Sequence, residues 1–222
     1  MSFRVEVFAP GEYAERAAIA IVRALPARGS VVITGGSTAE VVYPQLAKAD
    51  SDWSELEVFF SDERCVPPDD DASNYGMARR TLLDHVDAAA VHRMRGEDPP
   101  LRAADSYHVE LSGRDIDLML LGMGADNHIC GMFPHSEAVK VTSSLCTPVD
   151  RPDGLKGLTL TSPAVTRAEK VLLLVTGDNK ADAVRRAVEG TEDPFDCPAR
   201  MLANHPDATF LLDEAAASSL SL

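Results

Sequence analysis

The strongest constraint on the fold of this chain is a repeated alternation of short apolar runs with helical patterns. Runs rich in β-branched residues and leucine occupy residues 5–8, 31–33, 56–60, 118–121, 158–160, 171–175 and 209–212. Between the first two, Tyr13, Ala17, Ile21 and Leu25 recur every fourth residue with Ala18 and Val22 alongside, which lays one apolar stripe along a helix. Ser73 is a candidate N-cap for a helix over 74–86, Pro99-Pro100 opens a helix through Leu111, and a helix over 180–188 ends at Gly190. Strand and helix alternating in this way predict an α/β fold with a doubly wound, largely parallel sheet flanked by helices, a Rossmann-like three-layer sandwich. No repeat, low-complexity tract or linker interrupts the pattern, so a single domain over 1–222 is expected, ending in a short helix with Asp213 near its N-terminus.

Parallel sheets of this kind bind ligands at the carboxyl ends of their strands. Polar clusters stand at four such positions: Thr34-Gly35-Gly36-Ser37-Thr38, Ser61-Asp62-Glu63-Arg64, Gly122-Met123-Gly124-Ala125-Asp126-Asn127-His128, and Thr176-Gly177-Asp178-Asn179-Lys180. In the first, paired glycines let successive amides converge at a helix N-terminus while Ser37 and Thr38 add hydroxyl donors, a cradle suited to a phosphate monoester. The same residues would serve as a plain tight turn with Ser37 or Thr38 as N-cap. A third reading makes Ser37 the nucleophile of a serine esterase, with Asp62 and His128 completing a triad. The spacing excludes a Walker loop, and Asn127 stands where a dinucleotide fingerprint requires its third glycine.

Asp126 and His128 carry the acid–base chemistry, because an imidazole titrating near neutrality can act as general base and a neighbouring carboxylate can orient it. Arg64 can clamp a phosphate bidentately, Lys180 can swing toward the same crevice, and Arg167 is a further candidate cation. His85 and His92 come without a matching ligand set, so no metal is expected.

Composition narrows the partners. With Lys+Arg 21 against Asp+Glu 35, the net charge of −14 leaves no basic field for nucleic acid or anionic lipid, so an anionic ligand must be held by a few placed cations and backbone amides. No apolar run is long enough to span a membrane and the first residues lack a signal-peptide core, which makes a cytoplasmic location the expectation. Cys65, Cys130, Cys146 and Cys197 form no C-x-x-C pair and are expected to be reduced, mostly buried thiols.

These clusters, in this order, resemble the 6-phosphogluconolactonase family, which shares a fold group with glucosamine-6-phosphate deaminase. The resemblance rests on Ile33 through Thr38, Ser61-Asp62-Glu63-Arg64-Cys65-Val66-Pro67 with Ser73-Asn74-Tyr75, Leu120 through Asp126 with His128 and Met132-Phe133-Pro134, Thr159-Leu160-Thr161, Thr176 through Ala181, and Leu212-Asp213. It implies hydrolysis of 6-phospho-D-glucono-1,5-lactone in the oxidative pentose phosphate pathway, without metal or organic cofactor. It implies His128 and Asp126 as catalytic residues, with Gly35, Gly36, Ser37, Thr38, Asp62, Arg64 and Lys180 binding substrate, and Arg167 is carried as a further candidate. Deaminases of the group have Tyr after the Asp-Glu pair and a Glu shortly after the histidine; here Arg64 and Met132-Phe133 stand in those segments, which favours the lactonase. Three positions depart from the family pattern: Asn127 and Gly131 in the histidine loop, and Gly157, where the family places an arginine. Lys156, Arg151 or Arg167 is the expected substitute for that cation. A sugar-phosphate sensor on the same scaffold is the non-enzymatic alternative.

Overall fold

The computed structural model describes residues 3–221; the remaining ends of the expected 1–222 domain lie outside the described residues. In chain order the elements are β1 (Arg4–Phe8), α1 (Tyr13–Ala24), β2 (Gly29–Ile33), α2 (Ser37–Leu46), β3 (Leu56–Phe60), β4 (Asp62–Arg64), α3 (Asn74–Thr81), β5 (Ala90–Val91) and α4 (Pro100–Ser112). They continue with β6 (Leu118–Gly122), β7 (Cys146–Asp150), β8 (Lys156–Leu160), α5 (Ser162–Thr166), β9 (Lys170–Val175), α6 (Ala181–Glu189), β10 (Ala208–Asp213) and α7 (Glu214–Ala217).

A seven-stranded sheet in the order β1-β10-β9-β6-β2-β3-β5 is parallel throughout and flanked by helices, the architecture expected from the alternation. Its inner strands are covered on both faces, which is why β2, β6 and β9 read as unbroken apolar runs rather than alternating ones. Helix α1 buries Tyr13, Ala17, Ala18 and Ile21, the stripe visible in the sequence, and the Tyr13 hydroxyl donates to the Leu211 carbonyl at 3.0 Å. Ser73 caps α3 as expected, its hydroxyl accepting from the Gly76 amide, but the helix stops at Thr81 and a separate turn of 3₁₀ helix covers Leu83–His85. Asp213 likewise caps α7 by accepting from the Ala216 amide at 2.7 Å.

The run at 158–160 does not join this sheet. It lies in β8, the centre of a small antiparallel sheet ordered β4-β8-β7. Strand β4 leaves the carboxyl edge of β3 after the single residue Ser61, so the cluster Asp62-Glu63-Arg64 is a strand rather than a loop. The Ser61 amide donates to Ile33 and its carbonyl accepts from Leu160, both at 2.8 Å, which fixes the small sheet against the end of β2. The main sheet changes direction of growth between β2 and β6, and the small sheet closes one side of the crevice there.

Cys130, Cys146 and Cys197 are buried and Cys65 is partly buried, all as free thiols. Burial raises the pKa of all four, most directly for Cys130, which keeps them protonated and unreactive. No helix among the described residues is long and apolar enough to cross a membrane.

Candidate active site

The glycine cradle is held from behind. Tyr43 of α2 accepts from the Thr34 amide at 3.0 Å and donates to the Thr34 carbonyl at 2.6 Å, pinning the end of β2. Gly36 follows at φ +92°, in the left-handed region that favours glycine, and α2 begins at Ser37. Gly35 is required by a close approach instead: a Cβ there would fall 1.9 Å from Asn74 Oδ1. Thr38 is buried, with Oγ1 3.0 Å from Thr176 Oγ1, so the first and fourth loops touch beneath the cleft.

The loop after β6 is folded tightly around its histidine. Isolated bridges join Met123 to Ile129 and Ile129 to Met132, and the Gly124 amide donates to the His128 carbonyl at 2.9 Å. Asn127 sits at φ +72°, fully buried, and its Nδ2 donates to the Ala183 carbonyl of α6 at 2.5 Å. That conformation points the chain back so that Asp126 Oδ1 accepts from both the His128 amide, at 3.1 Å, and Nδ1 of the same imidazole, at 2.5 Å. Burial pushes the Asp126 carboxyl up, but the hydrogen bond and charge of His128 outweigh it, so its pKa lies below the usual value and it stays ionised. A carboxylate on Nδ1 holds the proton there and leaves Nε2 as the acceptor facing the cleft. Gly124 is again a packing requirement, since a Cβ would lie 2.1 Å from His128 Nδ1.

Strand β4 supplies the other wall. Glu63 is buried and accepts from the amides of Arg64, Asn74 and Tyr75 and from the Ser73 hydroxyl, at 2.7 to 3.0 Å. Burial raises its carboxyl above the usual range against those hydrogen bonds. It therefore joins β4 to the start of α3 and fixes Arg64, whose Nη1 donates to the Ala72 carbonyl at 2.6 Å while its buried Nε has no partner among the described residues. Asp62 accepts from Ser61 Oγ at 2.8 Å and from Asn74 Nδ2 at 3.0 Å. On the opposite side, Gly177 at φ +99° donates its amide to both Asp213 oxygens at 3.1 Å, setting the turn that presents Lys180. Burial lowers the Lys180 pKa, with the Asp213 charge opposing it.

Gly35, Gly36, Ser37 and Thr38 thus line one cleft together with Asp62, Arg64, His128 and Lys180, while Asp126 lies behind His128. The cleft holds about 160 Å³, room for a small polar solute. Arg167 is the exception among the expected site residues. Its Nη2 donates to the carbonyls of Leu111 and Arg114, at the opposite end of the sheet, because it precedes β9 instead of following it. The esterase triad is not assembled either: Nδ1 of His128 is engaged by Asp126 of its own loop and not by Asp62. Seven lining residues lie outside the expected set, and Asn74 and Arg151 are the two of them with long polar side chains. Asn74 was visible only as the middle of the Ser-Asn-Tyr segment, and Arg151 only as one of three substitutes for an arginine at 157.

A parallel α/β sheet whose switch point joins an amide cradle, cationic side chains and a carboxylate-oriented histidine marks a class of protein suited to hold a small anion beside an imidazole able to accept a proton. Residues 10–211 match the family model described as glucosamine-6-phosphate isomerases/6-phosphogluconolactonase, and the chain belongs to that family. It is 36% identical to a 6-phosphogluconolactonase of Mycobacterium tuberculosis over 99% of both chains, and 35% identical to one of Synechocystis over 87% of this chain and 85% of that relative. Among solved structures, a 6-phosphogluconolactonase of Shewanella baltica superposes with a TM-score of 0.84 at 27% identity, over 96% of this chain and 97% of that one. A monomeric glucosamine-6-phosphate deaminase superposes equally well, with a TM-score of 0.87 at 24% identity over 98% of this chain and 100% of that one. The latter shows the fold alone, so reaction type must be argued from the site.

Proposed function

We propose that this chain hydrolyses 6-phospho-D-glucono-1,5-lactone to 6-phosphogluconate, as one cytoplasmic domain and without metal or organic cofactor. The observation that carries the reading is the His128–Asp126 pair, whose free Nε2 faces a cleft lined by the amide cradle, Arg64 and Lys180. The cradle and cations bind the phosphate. Nε2 of His128 removes a proton from water as the water oxygen attacks the lactone carbonyl carbon, and Asp126 stabilises the imidazolium. The tetrahedral oxyanion then collapses, the bond from C1 to the ring oxygen breaks, and the imidazolium returns its proton to that oxygen. The new carboxylic acid ionises in water.

The surroundings of His128 favour lactone hydrolysis over sugar ring opening and deamination. Asp126 is the one carboxylate that bonds its ring among the described residues, and Phe133 packs beside it with centroids 4.6 Å apart, whereas the deaminases carry a further Glu shortly after the histidine. The test is an assay on freshly generated lactone, corrected for spontaneous hydrolysis. Wild type should exceed the background rate, and His128→Ala should lose about 100- to 10,000-fold in kcat. Wild type that binds 6-phosphogluconate without turnover would instead identify a sensor, and labelling by a fluorophosphonate that disappears in Ser37→Ala would identify a serine esterase.

A further inference from the structure

The turn between β7 and β8 delivers a second guanidinium to the cleft, from a part of the chain outside the parallel sheet. Arg151 is only 10% exposed. Its Nε and Nη2 edge donates to Asp153 Oδ2 at 3.1 and 3.0 Å, and its Cζ lies 5.5 Å from the centroid of Phe133, the ring that also abuts His128. Nη1 stands 3.9 Å from Asp62 Oδ2, beyond direct hydrogen-bond distance, which leaves its protons for an incoming acceptor. Arg64 is near enough that its charge, like that of Arg151, lowers the pKa of Asp153 against the effect of burial. Two guanidinium groups thus converge on one corner of the cleft, a pairing that suits an anion with several acceptor oxygens better than a neutral carbonyl.

Gly157 provides the space. It lies in β8 opposite Arg64 on one side and Val149 on the other. A Cβ at this position would fall 3.1 Å from Arg151 Cδ, 3.3 Å from Val149 Cγ1 and 3.0 Å from the Glu63 carbonyl. Any larger side chain there competes directly with the Arg151 stem.

We propose that Arg151 is a specificity-determining residue that binds the phosphate of the sugar substrate beside Arg64, and that the missing side chain at Gly157 is what admits it. This rests on the lactonase reading above. The experiment titrates 6-phosphogluconate calorimetrically into wild type, R151A, R151K, G157V and R151A/G157V, and compares turnover of the phosphorylated lactone with that of unphosphorylated 1,5-gluconolactone. R151A and G157V should each weaken 6-phosphogluconate binding about 10- to 100-fold, with R151K intermediate. The double variant should bind no more weakly than R151A, since both substitutions remove one contact. The loss in kcat/KM should fall on the phosphorylated lactone, with the unphosphorylated one changed less than about threefold; G157A replaces G157V if the latter does not fold.

Wild type that binds while R151A binds within about threefold as well would overturn the inference and leave the lactonase reading intact. Equal losses on both lactones would also overturn it, by assigning Arg151 to the carbonyl or to packing. Wild type that neither binds 6-phosphogluconate nor hydrolyses its lactone would overturn the lactonase reading and this inference with it.

Discussion

The Asn127 side-chain amide donates to the Ala183 carbonyl at 2.5 Å, tying the loop that carries His128 to the helix that begins immediately after Lys180. The proposed general base and the proposed phosphate ligand Lys180 are therefore connected through a single buried side chain. Asn127 is also one of the departures from the family pattern, and its φ of +72° is a conformation that asparagine tolerates better than most residues.

Replacing it separates the two contributions. Asn127→Ala loses the buried hydrogen bond and keeps the positive φ, whereas Asn127→Gly loses the bond and accepts the backbone without strain. Each buried bond is worth about 1 kcal/mol and left-handed backbone costs a non-glycine residue about 1–2 kcal/mol. Asn127→Ala should be the less stable variant in urea unfolding, and both should lower kcat by loosening His128. An alanine variant as stable as the glycine one would mean that the loop relaxes out of its positive φ.

Glu63 illustrates how far an acidic residue in a motif can be from chemistry. Its two oxygens accept from the Arg64, Asn74 and Tyr75 amides and the Ser73 hydroxyl, so each oxygen faces two donors. Glu63→Gln must turn an NH₂ toward one of those pairs. The expected cost is about 1–3 kcal/mol, measured by chemical denaturation, together with a higher KM because Arg64 and Asn74 move with the capped helix. An unchanged midpoint and KM would show that the network rearranges without strain.

The large parts of the fold were legible because burial on both sheet faces leaves continuous apolar runs. Runs at 31–33, 118–121 and 171–175 mark β2, β6 and β9. Strand direction then placed the four polar clusters at one edge of the sheet. What stayed hidden depended on packing between distant segments. Strand β7, Cys-Thr-Pro-Val-Asp, is partly exposed and contains a proline, so it carries no strand pattern. Nothing local assigns 158–160 to a second sheet, since that follows from pairing with Asp62–Arg64. Arg167 could have been set aside on the same logic that found the site, since it leads into β9 and so belongs to the amino edge.

Gly35 and Gly36 are adjacent yet constrained by different physics. Among the described residues beyond its chain neighbours, nothing lies within 4 Å of a Cβ placed on Gly36, but its φ of +92° strains any other residue. A Cβ on Gly35 would strike Asn74, which cannot swing away freely because its Nδ2 donates to the Asp62 carbonyl and carboxylate at 2.9 and 3.0 Å. Gly35→Ala should therefore cost about 1–3 kcal/mol through overpacking and raise KM by displacing Asp62 and Asn74. Gly36→Ala should act on the cradle amides alone, leaving Asn74 in place. A crystal structure or amide-exchange comparison of the two variants distinguishes them: a Gly35→Ala protein with Asn74 unmoved would contradict this account.

Lys180 gives the site a pH dependence on the alkaline side. Burial lowers its pKa from the ordinary value of 10.5, so it loses its charge at a lower pH than an exposed lysine. For the free protein, between the lowered folded value and 10.5 the unfolded chain holds a proton that the folded one has released, so this group makes stability rise with pH across that window. Ligand binding runs the other way, because a phosphate favours the charged ammonium. Affinity for 6-phosphogluconate should fall as pH rises through the lowered value, and binding in that range should take up a proton. Lys180→Arg keeps its charge well above that window and should flatten the decline, while Lys180→Ala should bind weakly at every pH. Calorimetric titrations from neutral to alkaline pH in buffers of different ionisation enthalpy measure both the affinity and the proton uptake. A wild-type profile parallel to that of Lys180→Arg would remove Lys180 from the phosphate site.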